Sequence, residues 1–235
     1  MTRSLVVLAL FATAALSACS TGGGGSSSAP TTPTASPSAG AFETAPVPSA
    51  SAAPAPSAVA GGCPTSQPPA LGAGEKRIVT IETAKGSIAI TIEADLSPIA
   101  AGNFVALAAC GYYDGVVFHR VATLQDGTPF VIQGGDPTGK GTGGPGYSTV
   151  DVPPDDAKYT KGVVALAKTV TEPAGTAGSQ FFVVTAEDSG LGPDYAVLGK
   201  VVEGLDVVEK IGKLGGPDER PTEPVVIETV KVETS

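Results

Sequence analysis

The chain is poor in the side chains that covalent and metal-dependent chemistry requires. Its 235 residues include one histidine, three cysteines and one methionine, and there is no tryptophan. A conventional zinc site needs several His, Cys or acidic ligands at characteristic spacing. His119 stands alone, and Cys19, Cys63 and Cys110 do not have that spacing. The sequence therefore argues against a zinc site and against a catalytic cysteine, and it predicts neither a metal nor a cofactor.

Positive charge is also scarce. The chain has 14 Lys and Arg residues against 23 Asp and Glu residues, which gives a net charge of −9. Proteins that bind nucleic acid or anionic lipid directly rely on clustered basic residues. No such cluster occurs along this chain. The charge balance therefore argues against both kinds of partner.

The N-terminus has the pattern of an export signal. Arg3 precedes an apolar run from Leu5 to Ala18, and this run is shorter than the roughly 20 residues that a membrane-spanning helix needs. It ends in Leu16-Ser17-Ala18-Cys19, which resembles the lipobox of bacterial lipoproteins. The resemblance implies a signal peptide over residues 1–18 and acyl chains such as palmitate on Cys19. Those chains would anchor the protein to the outer face of the bacterial cell membrane. The alternative is an ordinary secretory signal in which Cys19 is incidental.

Residues 19–75 consist largely of Ser, Thr, Pro, Ala and Gly. Such a segment cannot bury enough apolar surface to offset the entropy lost on ordering. We therefore predict a disordered tether that leads to one folded domain at residues 76–235, which is long enough for a single core.

Cys63 and Cys110 remain as a pair if Cys19 carries a lipid. In an oxidising compartment such a pair can form a disulfide, which would join the end of the tether to the helix that contains Cys110. The alternative is a buried free thiol at Cys110 and an exposed Cys63. The sequence does not supply the Cα separation that a disulfide needs, so both alternatives stay open.

In the folded part, the sequence pattern predicts many short strands and two helices. Period-two alternation over residues 78–92, interrupted near Ala84-Lys85-Gly86, indicates a β-hairpin. Ser97-Pro98 is a typical helix start, Gly111 is a typical stop, and a second helix is predicted at about residues 205–212. This pattern favours a mainly β fold, a closed antiparallel barrel. Further strands are predicted at Val116–Arg120, Phe130–Gln133, Val163–Ala167, Phe181–Thr185, Ala196–Val201 and Val225–Val232.

Three short segments place an arginine or glutamine beside aromatic residues. They are Phe118-His119-Arg120, Gln133-Gly134-Gly135-Asp136 and Gly178-Ser179-Gln180-Phe181-Phe182. Alternate side chains of a strand share a face, so each segment offers fixed hydrogen-bond donors beside an apolar surface. No obvious nucleophile accompanies them. Such a surface suits holding and twisting a peptide, and it does not suit cleaving one.

The order and spacing of Arg120, Phe130, Gln133, Gln180 and Phe182 are similar to those of the cyclophilin peptidyl-prolyl isomerases. The chain from about Lys76 to Ser235 resembles that family throughout. Two more matches are Gly141-Thr142-Gly143-Gly144 and Leu198-Gly199-Lys200-Val201. The resemblance implies a closed eight-stranded antiparallel β-barrel capped by two helices. It also implies a monomer that isomerises X-Pro bonds in exported proteins and assists their folding outside the cytoplasm.

The resemblance also implies a set of site residues. Arg120 and Gln133 are the catalytic pair, and the guanidinium of Arg120 would donate to the prolyl carbonyl and toward the prolyl nitrogen. Ala167 and Lys168 stand where the family grips substrate through backbone groups, and the glutamines either bind substrate backbone or hold Arg120 in place. The implied substrate-binding residues are Phe130, Val131, Ala167, Lys168, Gln180, Phe182, Leu191 and Tyr195.

For each of these residues the alternative is a purely structural role. Arg120 could form a structural ion pair, the apolar residues could be ordinary core, and the glutamines could be buried and fully hydrogen-bonded. For the whole protein, the alternative is a proline-peptide binding module or chaperone with little turnover. His119 is interpreted as structural, because proline isomerisation transfers no proton and strand alternation points it away from Arg120. The GxGxxG match at residues 141–146 contains Pro145 and opens no helix, so we interpret it as a loop beside the groove.

The chain departs from the family pattern at four places. Many cyclophilins have a tryptophan just before the position of Leu191, where this chain has Gly190, so the sequence does not predict strong cyclosporin inhibition. Tyr195 replaces a pocket histidine and Val131 replaces a pocket methionine. The segment Thr169–Ala177 is longer than in common members. These differences predict a reshaped groove and a narrower choice of residues beside the proline.

Overall fold

The computed structural model describes residues 62–234, which form ten strands and two helices. The signal peptide predicted at residues 1–18, Cys19, and the tether up to residue 61 lie outside the described residues. Among the described helices, none has both the length and the apolar content needed to cross a membrane. The elements, in chain order, are β1 (Lys76–Thr83), β2 (Gly86–Glu93), α1 (Pro98–Ala109), β3 (Arg120–Thr123), β4 (Pro129–Gly134), β5 (Thr149–Val150), β6 (Val163–Leu166), β7 (Thr176–Ala177), β8 (Phe181–Val184), β9 (Val197–Glu203), α2 (Leu205–Gly212) and β10 (Ile227–Thr234).

Eight of the strands form one curled antiparallel sheet in the order β10-β1-β2-β9-β6-β8-β4-β3. The two edge strands, β3 and β10, share no continuous ladder in the described part of the chain. An isolated bridge between Val117 and Val226, with a hydrogen bond from the Phe118 N–H to the Val225 carbonyl (2.9 Å), joins the segments just before them. The mainly β prediction is confirmed, and the sheet is a curled half-barrel whose predicted closure is not shown.

Strand alternation creates two apolar clusters on opposite faces of the sheet. The inner cluster packs the sheet against α1 and α2, and it contains Phe104, Ile132, Phe181 and Val208. The outer cluster lies on the other face and contains Val131, Ala165, Phe182 and Val184, together with the buried Tyr159. Phe181 and Phe182 are neighbours in β8, so they belong to different clusters.

Both helices form where the sequence predicts them. Pro98 occupies the first turn of α1, where its missing N–H costs no helical hydrogen bond, and Gly111 follows the helix with a positive φ of 78°. Helix α1 buries seven of its twelve residues, because strands β1, β2, β9 and β10 of the curled sheet and the short strand β5 all contact it. Helix α2 is amphipathic and buries Val207, Val208 and Ile211.

Two details of the predicted strands are wrong. The strand predicted at Val116–Arg120 begins only at Arg120, because the preceding residues hydrogen-bond to the segment before β10 and form no regular ladder. The two-residue strands β5 and β7 pair with each other in a separate small sheet that the sequence did not predict. Strands this short have no readable periodicity.

Residues 62–75, at the end of the predicted tether, lie against α1. A disulfide joins Cys63 to Cys110 in the structure. The Leu71 N–H donates to the Pro98 carbonyl at 3.1 Å. Gly102 of α1 comes so close that a Cβ there would lie 2.2 Å from the Pro69 carbonyl oxygen. The segment is therefore fixed to the helix by one covalent bond and by close backbone contact.

Candidate functional site

A row of hydrogen-bonded polar side chains runs from β3 across β4 to Gln180, the residue just before β8. Arg120 pairs with Gln133 in the β3–β4 register, and Gln133 pairs with Phe182 in the β4–β8 register. The Arg120 Nη1 donates to Gln133 Oε1 at 3.2 Å, and the Gln133 Nε2 donates to Gln180 Oε1 at 3.0 Å. The Gln180 Nε2 completes the row by donating to the Gly143 carbonyl at 2.9 Å. The two glutamines therefore form a chain of hydrogen bonds that links the loop at Gly143 to the guanidinium of Arg120 and restrains its orientation.

Arg120 has a second partner that the sequence did not suggest. Its Nε donates to Glu219 Oε2 at 2.6 Å, so Arg120 does form an ion pair, which was the alternative role considered for it. The Arg120 side chain nevertheless remains 36% exposed. Its Nη2 has no hydrogen-bond partner among residues 62–234. The guanidinium is thus held from two sides and keeps donors facing solvent.

An apolar pocket adjoins this row. Val131 and Phe182 are buried in the outer cluster, and Phe130, Leu191 and Tyr195 pack against it while remaining partly accessible. The Tyr195 ring meets the Phe182 ring edge to face, with centroids 5.4 Å apart. This partly open aromatic surface offers apolar contact of the kind that a proline ring makes.

A groove of about 500 Å³ runs along the other side of the two glutamines. Gln133, Gln180, Ala167, Lys168 and the glycine-rich loop of residues 141–146 line it. The Ala167 N–H donates to the Gln180 carbonyl at 2.8 Å. The Lys168 ammonium lies 5.4 Å from the centre of the Tyr195 ring and donates to the carbonyl of Glu172 at 3.2 Å. The ten residues that the sequence predicts for the site are therefore distributed between the polar row, the pocket and this groove.

The buried carboxylate of Asp136 holds the glycine-rich loop. It accepts hydrogen bonds from four backbone N–H groups, those of Thr138, Lys140, Thr142 and Gly143, at 2.7–3.1 Å. Burial alone would raise the pKa of Asp136, but the donors from Gly143 and Thr138 outweigh it and hold that pKa below its ordinary value. The loop is therefore fixed in the position in which the Gly143 carbonyl accepts the hydrogen bond from Gln180 Nε2.

His119 takes no part in the polar row. Both of its ring nitrogens are buried without a hydrogen-bond partner in the described part of the protein, and the ring lies beside Gly141. Desolvation lowers the pKa of His119, the nearby Asp136 carboxylate opposes that shift, and the charges of Arg120 and Arg220 reinforce it. The ring is therefore neutral near pH 7.

The sequence did not assign roles to Asp136 and Glu219. Asp136 belongs to a quoted motif, and an acidic residue followed by a glycine-rich stretch is a usable signal for a carboxylate that caps a loop. Glu219 stands in an ordinary polar loop after α2, and nothing in its local sequence indicates that it reaches Arg120. Within residues 62–234, no cluster of His, Cys, Asp and Glu could hold a metal ion.

Comparisons with known proteins agree on one family. Residues 78–232 match the family described as "Cyclophilin type peptidyl-prolyl cis-trans isomerase/CLD". The peptidyl-prolyl cis-trans isomerase A of Mycobacterium tuberculosis is 39% identical over 171 residues, which cover 65% of this chain and 90% of that protein. An isomerase of Arabidopsis thaliana is 37% identical over 159 residues, covering 66% of this chain and 94% of its own.

Solved structures show the same fold. A cyclophilin-type isomerase of Cryptosporidium parvum superposes with a TM-score of 0.60 at 28% identity, covering 68% of this chain and 99% of that one. That protein was also crystallised in the presence of the dipeptide Ala-Pro. The fold, the matched residues and the relatives lead to one conclusion: this chain belongs to the cyclophilin-type peptidyl-prolyl cis-trans isomerases and is an enzyme of that class.

Proposed function

We propose that Arg120 is the catalytic residue and that it lowers the barrier to rotation about X-Pro bonds without covalent chemistry. The observation that carries this proposal is its placement: a guanidinium held by Glu219 and Gln133, with unpaired donors beside a partly open apolar pocket. With a proline ring against Phe182 and Tyr195, the guanidinium donates to the prolyl carbonyl and toward the prolyl nitrogen. Donation to that nitrogen favours the twisted amide, in which the lone pair is no longer conjugated.

The required effect is within reach of one such contact. The rotation barrier is about 18–20 kcal/mol, and uncatalysed exchange takes tens to hundreds of seconds. Millisecond exchange needs an acceleration of about 10⁴ to 10⁵, which corresponds to about 5.5–7 kcal/mol. A preorganised charged donor in a partly dry site, together with binding of the twisted geometry, supplies energies of this order.

In this proposal the remaining residues bind the peptide. Phe130, Val131, Phe182, Leu191 and Tyr195 receive the proline ring, and the groove along Ala167 and Lys168 receives the residues before it. Gln133 orients Arg120 and Gln180 orients Gln133, which is the role that the hydrogen-bonded row supports. No proton is transferred, so the neutral His119 is not needed for the chemistry.

The proposed setting is outside the cytoplasm. The export signal and the lipobox-like Leu16-Ser17-Ala18-Cys19 support a protein that is anchored by lipid on Cys19, acts as a monomer, and assists folding of exported proteins. The Cys63–Cys110 disulfide supports the same setting, because disulfides persist in oxidising compartments. Metabolic labelling with a radioactive fatty acid tests the anchor: label should enter the wild type and should be absent from Cys19→Ser.

The catalytic role of Arg120 is tested by exchange NMR on an Ala-Pro peptide with catalytic amounts of protein. Arg120→Ala should lose at least about 100-fold of the acceleration, the range that the loss of one preorganised donor produces. Arg220→Ala is a matched control, because Arg220 is also an arginine near this surface but is 72% exposed and pairs only loosely with Asp218. Equal activity of wild type and Arg120→Ala would refute the role of Arg120.

The second candidate is a role in which this chain mainly holds proline peptides, as a binding module or chaperone, and its isomerase turnover is incidental. It is favoured by Gly190 and Tyr195, which replace two pocket residues of the common family pattern. A binding module should retain its affinity for a proline peptide in Arg120→Ala, and its wild type should show little turnover. Fast exchange catalysed by the wild type would exclude this candidate.

A further inference from the structure

Glu219 connects the loop after α2 to the proposed catalytic arginine. Its carboxylate accepts from Arg120 Nε at 2.6 Å, and its backbone carbonyl accepts from the N–H of Val121, the next residue in β3, at 2.7 Å. Its own N–H donates to the Gly216 carbonyl at 3.1 Å. Both the backbone and the side chain of Glu219 are therefore fixed relative to the strand that carries Arg120.

The backbone conformation of Glu219 is unusual. Its φ is +59°, and within residues 62–234 it is the one residue other than glycine with a positive φ. Glycine adopts this region at no steric cost, whereas a residue with a Cβ is strained there. Strained positions of this kind cluster at functional sites. A glutamate at this position keeps a carboxylate against Arg120 where glycine would serve the turn better.

The two partners of Arg120 restrain different parts of its guanidinium. Glu219 holds Nε, while Gln133 holds Nη1 at 3.2 Å. A planar guanidinium held at two of its three nitrogens has a defined plane, so the direction of the remaining Nη2 donors is also defined. An arginine held by Gln133 alone could rotate about that one hydrogen bond.

We propose that Glu219 is a positioning residue for the isomerase reaction. It sets the plane of the Arg120 guanidinium so that the unpaired donors face the proline pocket. The proposal rests on the catalytic role proposed above for Arg120. It differs from the ordinary interpretation of a surface ion pair, which contributes little to stability and nothing to the rate. A positioning role predicts a loss that falls on kcat and leaves KM and stability nearly unchanged.

The test uses two substitutions of Glu219 and one control in the full chain. Glu219→Gly removes the carboxylate and is compatible with the positive φ, so it should fold at least as well as the wild type. Glu219→Gln keeps a neutral acceptor for the Nε–H. Asp218→Ala is the control, because Asp218 is the adjacent carboxylate and pairs with Arg220.

We expect Glu219→Gly to lower kcat on an Ala-Pro peptide about tenfold with KM within about twofold, because misorientation of a catalytic group costs rate more than binding. Glu219→Gln should recover most of the loss, and Asp218→Ala should match the wild type. NMR of the Arg120 Nε–H gives a second readout. Hydrogen exchange at this group should become faster in Glu219→Gly and stay slow in Asp218→Ala.

The two variants separate an error in the role of Glu219 from an error in the role of Arg120. Full activity of Glu219→Gly, with Arg120→Ala inactive, would overturn the positioning role and leave the catalytic role of Arg120 intact. Full activity of Arg120→Ala would overturn both. Combining the substitutions supplies a further check, because Glu219→Gly should add no loss in the Arg120→Ala background. An additional tenfold loss there would show that Glu219 acts independently of Arg120 and would overturn the proposal.

Discussion

The disulfide between Cys63 and Cys110 should contribute substantially to stability. It closes a loop across a sequence separation of 47 residues. For a loop of that length, the chain-entropy relation gives about 14 cal/mol/K, or about 4 kcal/mol at 25 °C. The typical measured contribution is about 2–4 kcal/mol, because the reduced unfolded chain retains some structure. We therefore expect the double variant Cys63→Ser/Cys110→Ala to lose about 2–4 kcal/mol in free energy of unfolding.

The assay is denaturant and thermal unfolding of the wild type and the double variant, both without reductant. For a domain of this size, that loss corresponds to a decrease in Tm of roughly 5–15 °C. Gly102→Ala serves as a comparison that leaves the disulfide in place, because its Cβ would lie 2.2 Å from the Pro69 carbonyl oxygen and would displace residues 62–75 from α1. A loss below about 1 kcal/mol in the double variant would show that the bridge does not constrain the unfolded chain.

Two further predictions concern the loop and the pocket. Burial raises the pKa of Asp136, but the hydrogen bonds from the loop lower it by more, so the net pKa lies below the ordinary value of 3.8. The ionised carboxylate therefore stabilises the folded protein above that value, and this stabilisation is lost as the pH falls below it. Asp136→Asn should lower the free energy of unfolding by about 1–3 kcal/mol at pH 7 and remove this dependence on acid. Denaturant unfolding at pH 7 and pH 3 measures both effects, and a pH profile identical to that of the wild type would contradict the role of Asp136. Tyr195→Ala should raise KM for an Ala-Pro peptide several-fold, because the ring packs on Phe182, whereas Tyr195→Phe should leave it nearly unchanged. An equal effect of both would assign the role to the hydroxyl.

Much of the fold follows from local sequence patterns. The hairpin of β1 and β2 follows from alternation, and the bounds of α1 follow from Ser97-Pro98 and Gly111, which are local signals. Strands β5 and β7 were missed because two residues carry no period. Closure of the barrel was inferred from the many short strands, but the segments just before β3 and β10 are joined by an isolated bridge and a few backbone hydrogen bonds, and not by a continuous ladder.

The candidate site was predictable only as a set of residues. Cross-strand register places Arg120 opposite Gln133 and Gln133 opposite Phe182, and a single sequence does not contain that register. The resemblance to a known family supplied the residues, and the register became visible only in the structure. Glu219 lies 99 positions from Arg120 and forms its contact through a loop with a strained backbone. Neither composition nor periodicity reports such a long-range contact, so it could be found only in three dimensions.

In the proposed mechanism, Arg120 stabilises the twisted amide more than it binds the ground state. One NMR titration of an Ala-Pro peptide measures both quantities, since line shapes report the affinity and exchange spectroscopy reports the cis–trans rate on the protein. We expect Arg120→Ala to keep its affinity within about threefold while the exchange rate of the bound peptide falls by at least about 100-fold. Equal losses in affinity and rate would contradict this mechanism, because Arg120 would then bind substrate and transition state alike.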